Sequence, residues 1–158
     1  MPTPSEPWRP RPAVEADIDA IRRLEWACFH ATISSLSYRT ELADPRHAIL
    51  VLEDAEGLVG FATANVVLDE GHITNIAVDA RCRQRGAGRA LLTALVERLK
   101  QLGATAAYLE VRTKNEPAQH LYASFGFYVL GKRRAYYWDP PDDAIVMRLD
   151  WAAPDEPA

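Results

Sequence analysis

The sequence predicts one α/β domain of the α+β kind, a mixed and mostly antiparallel sheet of about six to seven strands with helices on both faces. Three observations predict it. Valine- and isoleucine-rich runs joined by hairpin signatures fill the middle of the chain, two long helical periodicities bracket them, and a strand–helix–strand alternation follows. With 158 residues, 48% hydrophobic and 25% charged, the chain is of a size and composition to bury one core.

Taken in order, Pro2, Pro4, Pro7, Pro10 and Pro12 remove backbone donors and favour extended chain. A disordered tail over 1–11 is expected, joining a first strand near Pro12–Val14, so that the folded domain spans 12–150. Ile18, Ile21, Leu24 and Cys28 then recur at helical spacing, with Asp17 available as N-cap. The uncharged stretch Ala31 to Tyr38 holds few helix formers and reads as a loop before a short helix around Tyr38–Leu42. Ala48–Glu53 and Leu58–Leu68 are strands joined by the turn Asp54-Ala55-Glu56-Gly57, and Asp69-Glu70-Gly71 introduces a third, His72–Val78. Ala90, Leu91, Leu95, Leu99 and Leu102 mark the second long helix, closed by Gly103. Ala106–Val111 is a strand, and Asn115 caps a helix with Pro117 in its first turn that stops at Gly126. Phe127–Leu130, Arg134–Trp138 and Ala144–Leu149 supply one or two closing strands, and 151–158 reads as a polar tail.

Composition excludes several classes. A net charge of -4 argues against a surface that neutralises many phosphates, so direct nucleic-acid binding is not expected. No apolar run is long enough to span a membrane and the first residues lack a leader's charged and apolar regions, which reads as cytoplasmic. Cys28 and Cys82 have neither CxxC spacing nor a companion histidine pair, so no metal is expected. Monomer and homodimer both stay open.

The chemistry-bearing segment is Arg83-Gln84-Arg85-Gly86-Ala87-Gly88. It follows a strand and opens a helix, where unhindered glycine N–H groups and the helix dipole favour an anion. Arg81, Arg83, Arg85 and Arg89 add guanidinium charge, consistent with several phosphates. A dinucleotide fingerprint requires a small residue where Leu91 stands, and a P-loop requires Gly-Lys-Ser or Gly-Lys-Thr. A tight turn with solvated arginines is the competing reading of the glycines alone.

Asn75-Ile76-Ala77-Val78-Asp79, Arg83 to Gly88, Leu109-Glu110-Val111-Arg112, Asn115 and Leu121-Tyr122-Ala123-Ser124-Phe125-Gly126-Phe127 together resemble the motifs of the GNAT acetyltransferases, in order and spacing. From about Ala48 to Met147 the resemblance is strongest to the RimI-type N-terminal alanine acetyltransferases, helped by Arg133-Arg134-Ala135-Tyr136-Tyr137 and Asp143-Ala144-Ile145-Val146-Met147. It implies acetyl-CoA as co-substrate. The backbone of Ile76, Ala77 and Val78 would pair with the pantetheine arm by strand addition, beside a bulge expected near Val78. Arg83, Gln84, Arg85, Gly86, Ala87, Gly88 and Arg89 would hold the pyrophosphate, and Asn115 and Tyr122 would also contact the cofactor. The resemblance assigns the general base to Glu110 and the general acid to Tyr122, with a backbone N–H near Val78 for the oxyanion.

The residues themselves give some of these roles a reason. Glu110 alternates with Leu109 and Val111 in a strand otherwise built for burial, and a carboxylate partly removed from water is a better proton acceptor. The competing reading pairs it with Arg112 or Lys114 at a half-exposed edge; for Tyr122 it is plain core packing. His30, His47, His72 and His120 read as surface or cap residues. Cys82 lacks the neighbouring base that an acetyl-enzyme route needs.

The resemblance implies a protein N-terminus as acceptor, the alanine of a small-subunit ribosomal protein, whose basic tail suits an acidic enzyme. An α-amine, with a pKa of about 7.7 to 8.0 against about 10.4 for lysine, needs only a modest base. The departure is Phe29-His30-Ala31-Thr32-Ile33-Ser34-Ser35, where RimI-type enzymes tend to carry Pro-Trp-Ser. Tyr136, Tyr137 and Trp138 are candidates to wall the acceptor groove. A small-amine or lysine acetyltransferase, and a non-catalytic acetyl-CoA-binding module, are the alternatives.

Overall fold

The structure is a computed structural model that describes residues 8–138 and 140–151. Its strands are β1 (Arg11–Pro12), β2 (His47–Asp54), β3 (Gly57–Val67), β4 (Glu70–Val78), β5 (Ala106–Arg112), β6 (Tyr128–Trp138) and β7 (Pro141–Asp150). The helices are α1 (Ile18–Phe29), α2 (Ser35–Ala43), α3 (Ala87–Gln101) and α4 (Glu116–Phe125). One seven-stranded sheet runs β1-β2-β3-β4-β5-β7-β6. Only β4 and β5 are parallel, and a parallel neighbour demands a crossover, which α3 provides. The mixed, mostly antiparallel sheet expected from the sequence is the one observed.

Alternation along β2 divides the core in two. Leu50 and Leu52 join α3 and α4 on one face, through Leu91, Leu92, Leu95, Leu99 and Tyr122. Ile49 and Val51 face the other way, against Ile18, Ile21 and Leu24 of α1 and Tyr38 of α2. Helices therefore cover both faces. The four leucines of α3 are fully buried, and each contributes about 1.5–3 kcal/mol of apolar burial to that face.

The feature that positions the site is where β4 leaves β5. The two pair only through Glu70, His72 and the residue between them, against Ala106–Tyr108, whereas β4 stays paired with β3 as far as Val78. Beyond His72 the inner edges of β4 and β5 diverge. The bulge that was expected near Val78 lies earlier in β4: Asn75 faces Thr63 and Ile73 faces Ala64, leaving Thr74 as the extra residue. A bulge increases local twist, and this one sits where the strands begin to part. Val78, by contrast, is held in regular register opposite Gly60.

Other local expectations are adjusted. Asp17 does not cap α1; its carboxylate takes two hydrogen bonds from Arg11 at 2.8 and 2.9 Å and one from the Val14 N–H at 2.8 Å. Arg11 holds the Asp17 carboxyl below the usual range, opposed by some desolvation. Helix α2 starts earlier than predicted because the Ser34 hydroxyl accepts the Ser37 N–H at 3.1 Å, so the serines that looked like loop residues form a capped first turn. The three closing runs resolve into two strands, β6 being irregular between Val129 and Gly131 and between Arg133 and Tyr137.

The tail expected over 1–11 falls largely outside the described residues. Within them, Trp8 packs against the α3 core and Arg11 is already in β1. At the other end the tail expected over 151–158 lies outside the described residues except for Trp151, which donates from Nε1 to the Ala104 carbonyl at 2.7 Å. Among the described residues no helix is long and apolar enough to cross a membrane.

Candidate active site

The diverging edges of β4 and β5 bound a cleft of about 540 Å³. Ile73 to Ile76 and Leu109 to Arg112 line it from the two strands, together with Asn115, Tyr122, Phe29, His30, Ala31 and Tyr136 to Trp138. Because the strands have parted, side chains from both faces of the sheet reach the same space. Leu109 and Val111 belong to the α3 face, so by alternation Glu110 belongs to the α1 face. Tyr122, from α4, enters from the α3 side.

Glu110 is nearly buried, its side chain 8% exposed. Its described partners are His72 and Arg133. Its Oε2 lies 2.7 Å from His72 Nε2, and Oε1 is 4.0 Å from an Arg133 nitrogen. His72 is thus neither a surface residue nor a cap; its ring stacks flat on Tyr108, centroids 4.5 Å apart and 6° from parallel.

The Tyr122 ring packs against Phe127 at 5.8 Å, as the core reading required, but the residue also lines the cleft, and no described residue hydrogen-bonds its hydroxyl. Burial, with a smaller contribution from Tyr137, pushes its phenol up to about 12, so it holds its proton at neutral pH. Tyr137 is likewise pushed up to about 12, chiefly by burial, and lies 4.1 Å beneath the Arg112 guanidinium. Arg112 also donates to the Pro140 carbonyl at 2.8 Å, which ties the β6–β7 turn to β5. Asn115 caps α4, its Oδ1 accepting the Ala118 N–H at 3.2 Å.

At the far end of β4 the glycine loop turns into α3. Gly86 is the N-cap at φ +85° with open space around it, and a Cβ on Gly88 would stand 3.2 Å from Leu121. Gln84 is also left-handed, at φ 62°. The arginines are distributed differently from what proximity in sequence suggested. Arg81 is bound by Asp54 at 2.9 Å and Glu56 at 3.2 Å. Arg83 donates to the Val78 carbonyl at 3.1 Å, and Arg89 reaches the Ser124 hydroxyl and lies over Phe125. Arg85 alone of the four has no side-chain partner among the described residues. An anion at this helix end would meet free first-turn N–H groups, the dipole and Arg85. Cys82 is buried in the core and offers no nucleophile to the cleft.

Residues 18–127 match the model of the acetyltransferase (GNAT) family. The chain belongs to the GNAT family. It is an N-acetyltransferase, and GNAT enzymes take their acetyl group from acetyl-CoA. A putative [ribosomal protein bS18]-alanine N-acetyltransferase of Bacillus subtilis is 36% identical over 132 residues, 83% of this chain and 87% of that protein. The [ribosomal protein bS18]-alanine N-acetyltransferase of Escherichia coli K12 is 45% identical over 94 residues, 58% of this chain and 64% of that one. The crystal structure of the Escherichia coli ribosomal-protein-S18-alanine N-acetyltransferase superposes with a TM-score of 0.82 at 32% identity, covering 96% of this chain and 99% of that one. A putative acetyltransferase of Salmonella typhimurium, solved with its cofactor acetyl-CoA, shares the GNAT fold at a TM-score of 0.80 and 18% identity, covering 97% and 99%.

Two contributors to this GNAT site carried no readable signal in the sequence. His72 meets Glu110 only through the short β4–β5 pairing. Trp8 donates from Nε1 to the Arg85 carbonyl at 2.9 Å, from a segment that proline content marked as disordered. Replacing Trp8 by Phe removes that one hydrogen bond, worth about 1 kcal/mol. Amide exchange at Gly86 and Ala87 should then quicken about fivefold with the rest of α3 unchanged. Equal exchange rates in the two proteins would mean that the loop keeps its shape without Trp8.

Proposed function

We propose that this enzyme transfers acetyl from acetyl-CoA to the N-terminal α-amine of a protein, the alanine of a ribosomal protein, by direct attack with both substrates bound in the β4–β5 cleft. The observation that carries the reading is that Glu110, on the α1 face of β5, and Tyr122, on a helix packed against the other face of the sheet, border one cleft. The names of the relatives support the acceptor. A ribosomal acceptor would put the reaction in the cytoplasm.

When bound, acetyl-CoA supplies the thioester carbonyl. Along the Ile76-Ala77-Val78 segment, Ile76 and Val78 turn backbone groups towards β5 that no strand takes, while Ala77 faces β3 and the Val78 carbonyl accepts from Arg83; the open groups suit the segment to pair with the amide-rich pantetheine arm. Gly86, Ala87 and Gly88 offer N–H groups to the pyrophosphate; Arg85 adds charge, and Arg83, Gln84 and Arg89 hold the loop and its helix in shape. The acceptor arrives as an ammonium and must lose two protons. Glu110 accepts the first and frees the attacking lone pair. Tyr122 gives its proton to the departing sulfur and is refilled by the second, so one proton goes to solvent per turnover. A backbone N–H near Val78 stabilises the developing oxyanion. Asn115 fixes the start of the helix that carries Tyr122.

Two features favour a protein α-amine over a small amine. The acceptor end of the cleft is open and aromatic, with Phe29, Tyr136 and Trp138 all substantially exposed, a wall suited to a peptide chain. The loop carrying Phe29 to Ala31 is anchored from behind: buried Glu25 accepts from the Tyr38 hydroxyl at 2.9 Å and from the Ile33 N–H at 3.3 Å, and Arg22 donates to the Ile33 carbonyl at 2.9 Å. A module that only binds acetyl-CoA would have no use for a buried carboxylate and a protonated phenol at one cleft.

The acceptor is tested by thiol release from acetyl-CoA with an alanine-starting ribosomal peptide, the same peptide blocked at its N-terminus but holding a lysine, and spermidine. The free alanine peptide should be the preferred substrate; faster turnover of either alternative would overturn the acceptor assignment.

Tyr122→Phe should lower kcat about 100-fold with unchanged affinity for acetyl-CoA. Its raised pKa means that the phenolate is the disfavoured form, so the proton stays on until pH climbs towards about 12. In a spectrophotometric titration the tyrosinate step lost in Tyr122→Phe should therefore lie above the ordinary value of about 10. A lost step at about 10, or wild-type kcat in the variant, would return Tyr122 to core packing.

A further inference from the structure

At the level where β4 and β5 part, the α1 face of the sheet carries a polar ladder: His47, Asn65, His72, Tyr108, Arg148 and Tyr128 stand side by side across the strands. Most of its polar members are committed away from the cleft. His47 lies 3.6 Å from Asp44, Arg148 binds Glu70 and Asp150, each at 3.0 Å, and the Tyr128 hydroxyl donates to Asp150 at 2.6 Å. His72 differs, for its Nε2 lies 2.7 Å from the carboxylate that walls the active site. It stands behind Glu110 rather than on the cleft wall, and it is the more exposed of the two, 26% against 8%.

That exposure gradient bears on a step the reaction requires. A nearly buried carboxylate, with substrates filling the cleft on its open side, needs a route by which the accepted proton can leave. Among the described residues, the groups around the His72–Glu110 pair are Asn65 on β3, Glu70 on β4, Tyr108 on β5, Arg133 and Tyr136 on β6 and Arg148 on β7, and His30 lines the same cleft as Glu110. Arginine has no lone pair to offer, asparagine does not titrate, phenols hold their protons at neutral pH, and Glu70 is engaged by Arg148. Burial, with the Glu110 charge second, keeps the Tyr136 phenol protonated. Imidazole is the side chain that takes up and releases a proton near neutral pH, and the stack on Tyr108 fixes the ring plane towards Oε2.

We propose that His72 is a positioning and relay residue that carries to solvent the proton which Glu110 takes from the acceptor amine, an inference that rests on the reading of Glu110 as the base. In each turnover the ammonium loses one proton to the Glu110 carboxylate, the Glu110 carboxyl passes one to Nε2 of the Nδ1–H tautomer of His72, the imidazolium releases its Nδ1 proton to water, and the neutral ring then returns to the Nδ1–H tautomer by exchange with solvent. Both side chains return to their starting charge.

His72→Gln retains a hydrogen-bond donor for Oε2 but cannot take a proton, and His72→Ala leaves room for an added imidazole. Both are compared with Glu110→Gln, with acetyl-CoA affinity and thermal unfolding as controls on the fold. His72→Gln should lose about tenfold or more in kcat with acetyl-CoA affinity unchanged. His72→Ala should regain rate in imidazole and its methyl derivatives in the order of their basicity, whereas Glu110→Gln should gain nothing from them. Wild-type kcat in His72→Gln beside a slow Glu110→Gln would overturn the relay and leave the base in place, as would a slow His72→Ala that no imidazole restores. Wild-type kcat in Glu110→Gln would overturn the base reading and the relay with it.

Discussion

The site depends on one interruption in the sheet. Hydrogen bonds between β4 and β5 stop after His72 and Tyr108, while each strand keeps its outer neighbour, β3 on one side and β7 on the other. A sheet that separates in this way without losing its outer pairing leaves backbone donors and acceptors on an inner edge, where they would otherwise cost free energy if left unpaired. It also opens a passage between the two helical layers, and only through that passage can a carboxylate on the α1 face and a phenol from α4 act on the same atoms. The Thr74 bulge and the crossover helix α3 are the local devices at the interruption. The chain passes from the end of β4 at Val78 to the start of α3 at Ala87 through the glycine loop, so the free amides of a helix N-terminus follow shortly after the free edge of a strand.

The electrostatic arrangement follows a similar economy. Of four arginines around the glycine loop, three are bound by protein groups, so most of the attraction for a phosphate would come from backbone amides, with guanidinium groups bracing them. Arg83 joins the loop to the end of β4 and Arg89 joins α3 to α4, so the elements bordering the cleft are linked by the same cluster that reads as a phosphate site. At the acceptor end, Glu25, Tyr38 and Arg22 hold the segment after α1.

Much of this was legible in the sequence because local patterns carried it. Period-two runs and turn residues gave the central strands, leucine spacing gave α3, and Asn115 with Gly126 bracketed α4, since each signal lies within a few residues of what it specifies. Fold and family followed from the ordered motifs. The failures share a cause: Asp17, Ser34, Thr74, Trp8 and His72 were each misjudged because a partner distant in sequence, or a hydroxyl's choice of hydrogen bond, decided the outcome. His72 and Glu110 are 38 residues apart, and nothing in either local pattern announces the other. The spacing of four nearby arginines likewise does not say which acidic or carbonyl groups stand beside each.

The central claim is that a single gap, bounded by the inner edge of β4 and the start of α3, receives the acetyl donor. Amide hydrogen exchange with and without acetyl-CoA measures this directly. Binding should protect the amides of Ile76 and Val78 and of Ala87 to Arg89 together, with β2 and the outer strand β6 unchanged. Protection confined to other segments, or protection at the α3 start with none along β4, would contradict the claim that the parted strand edge is the seat of the donor.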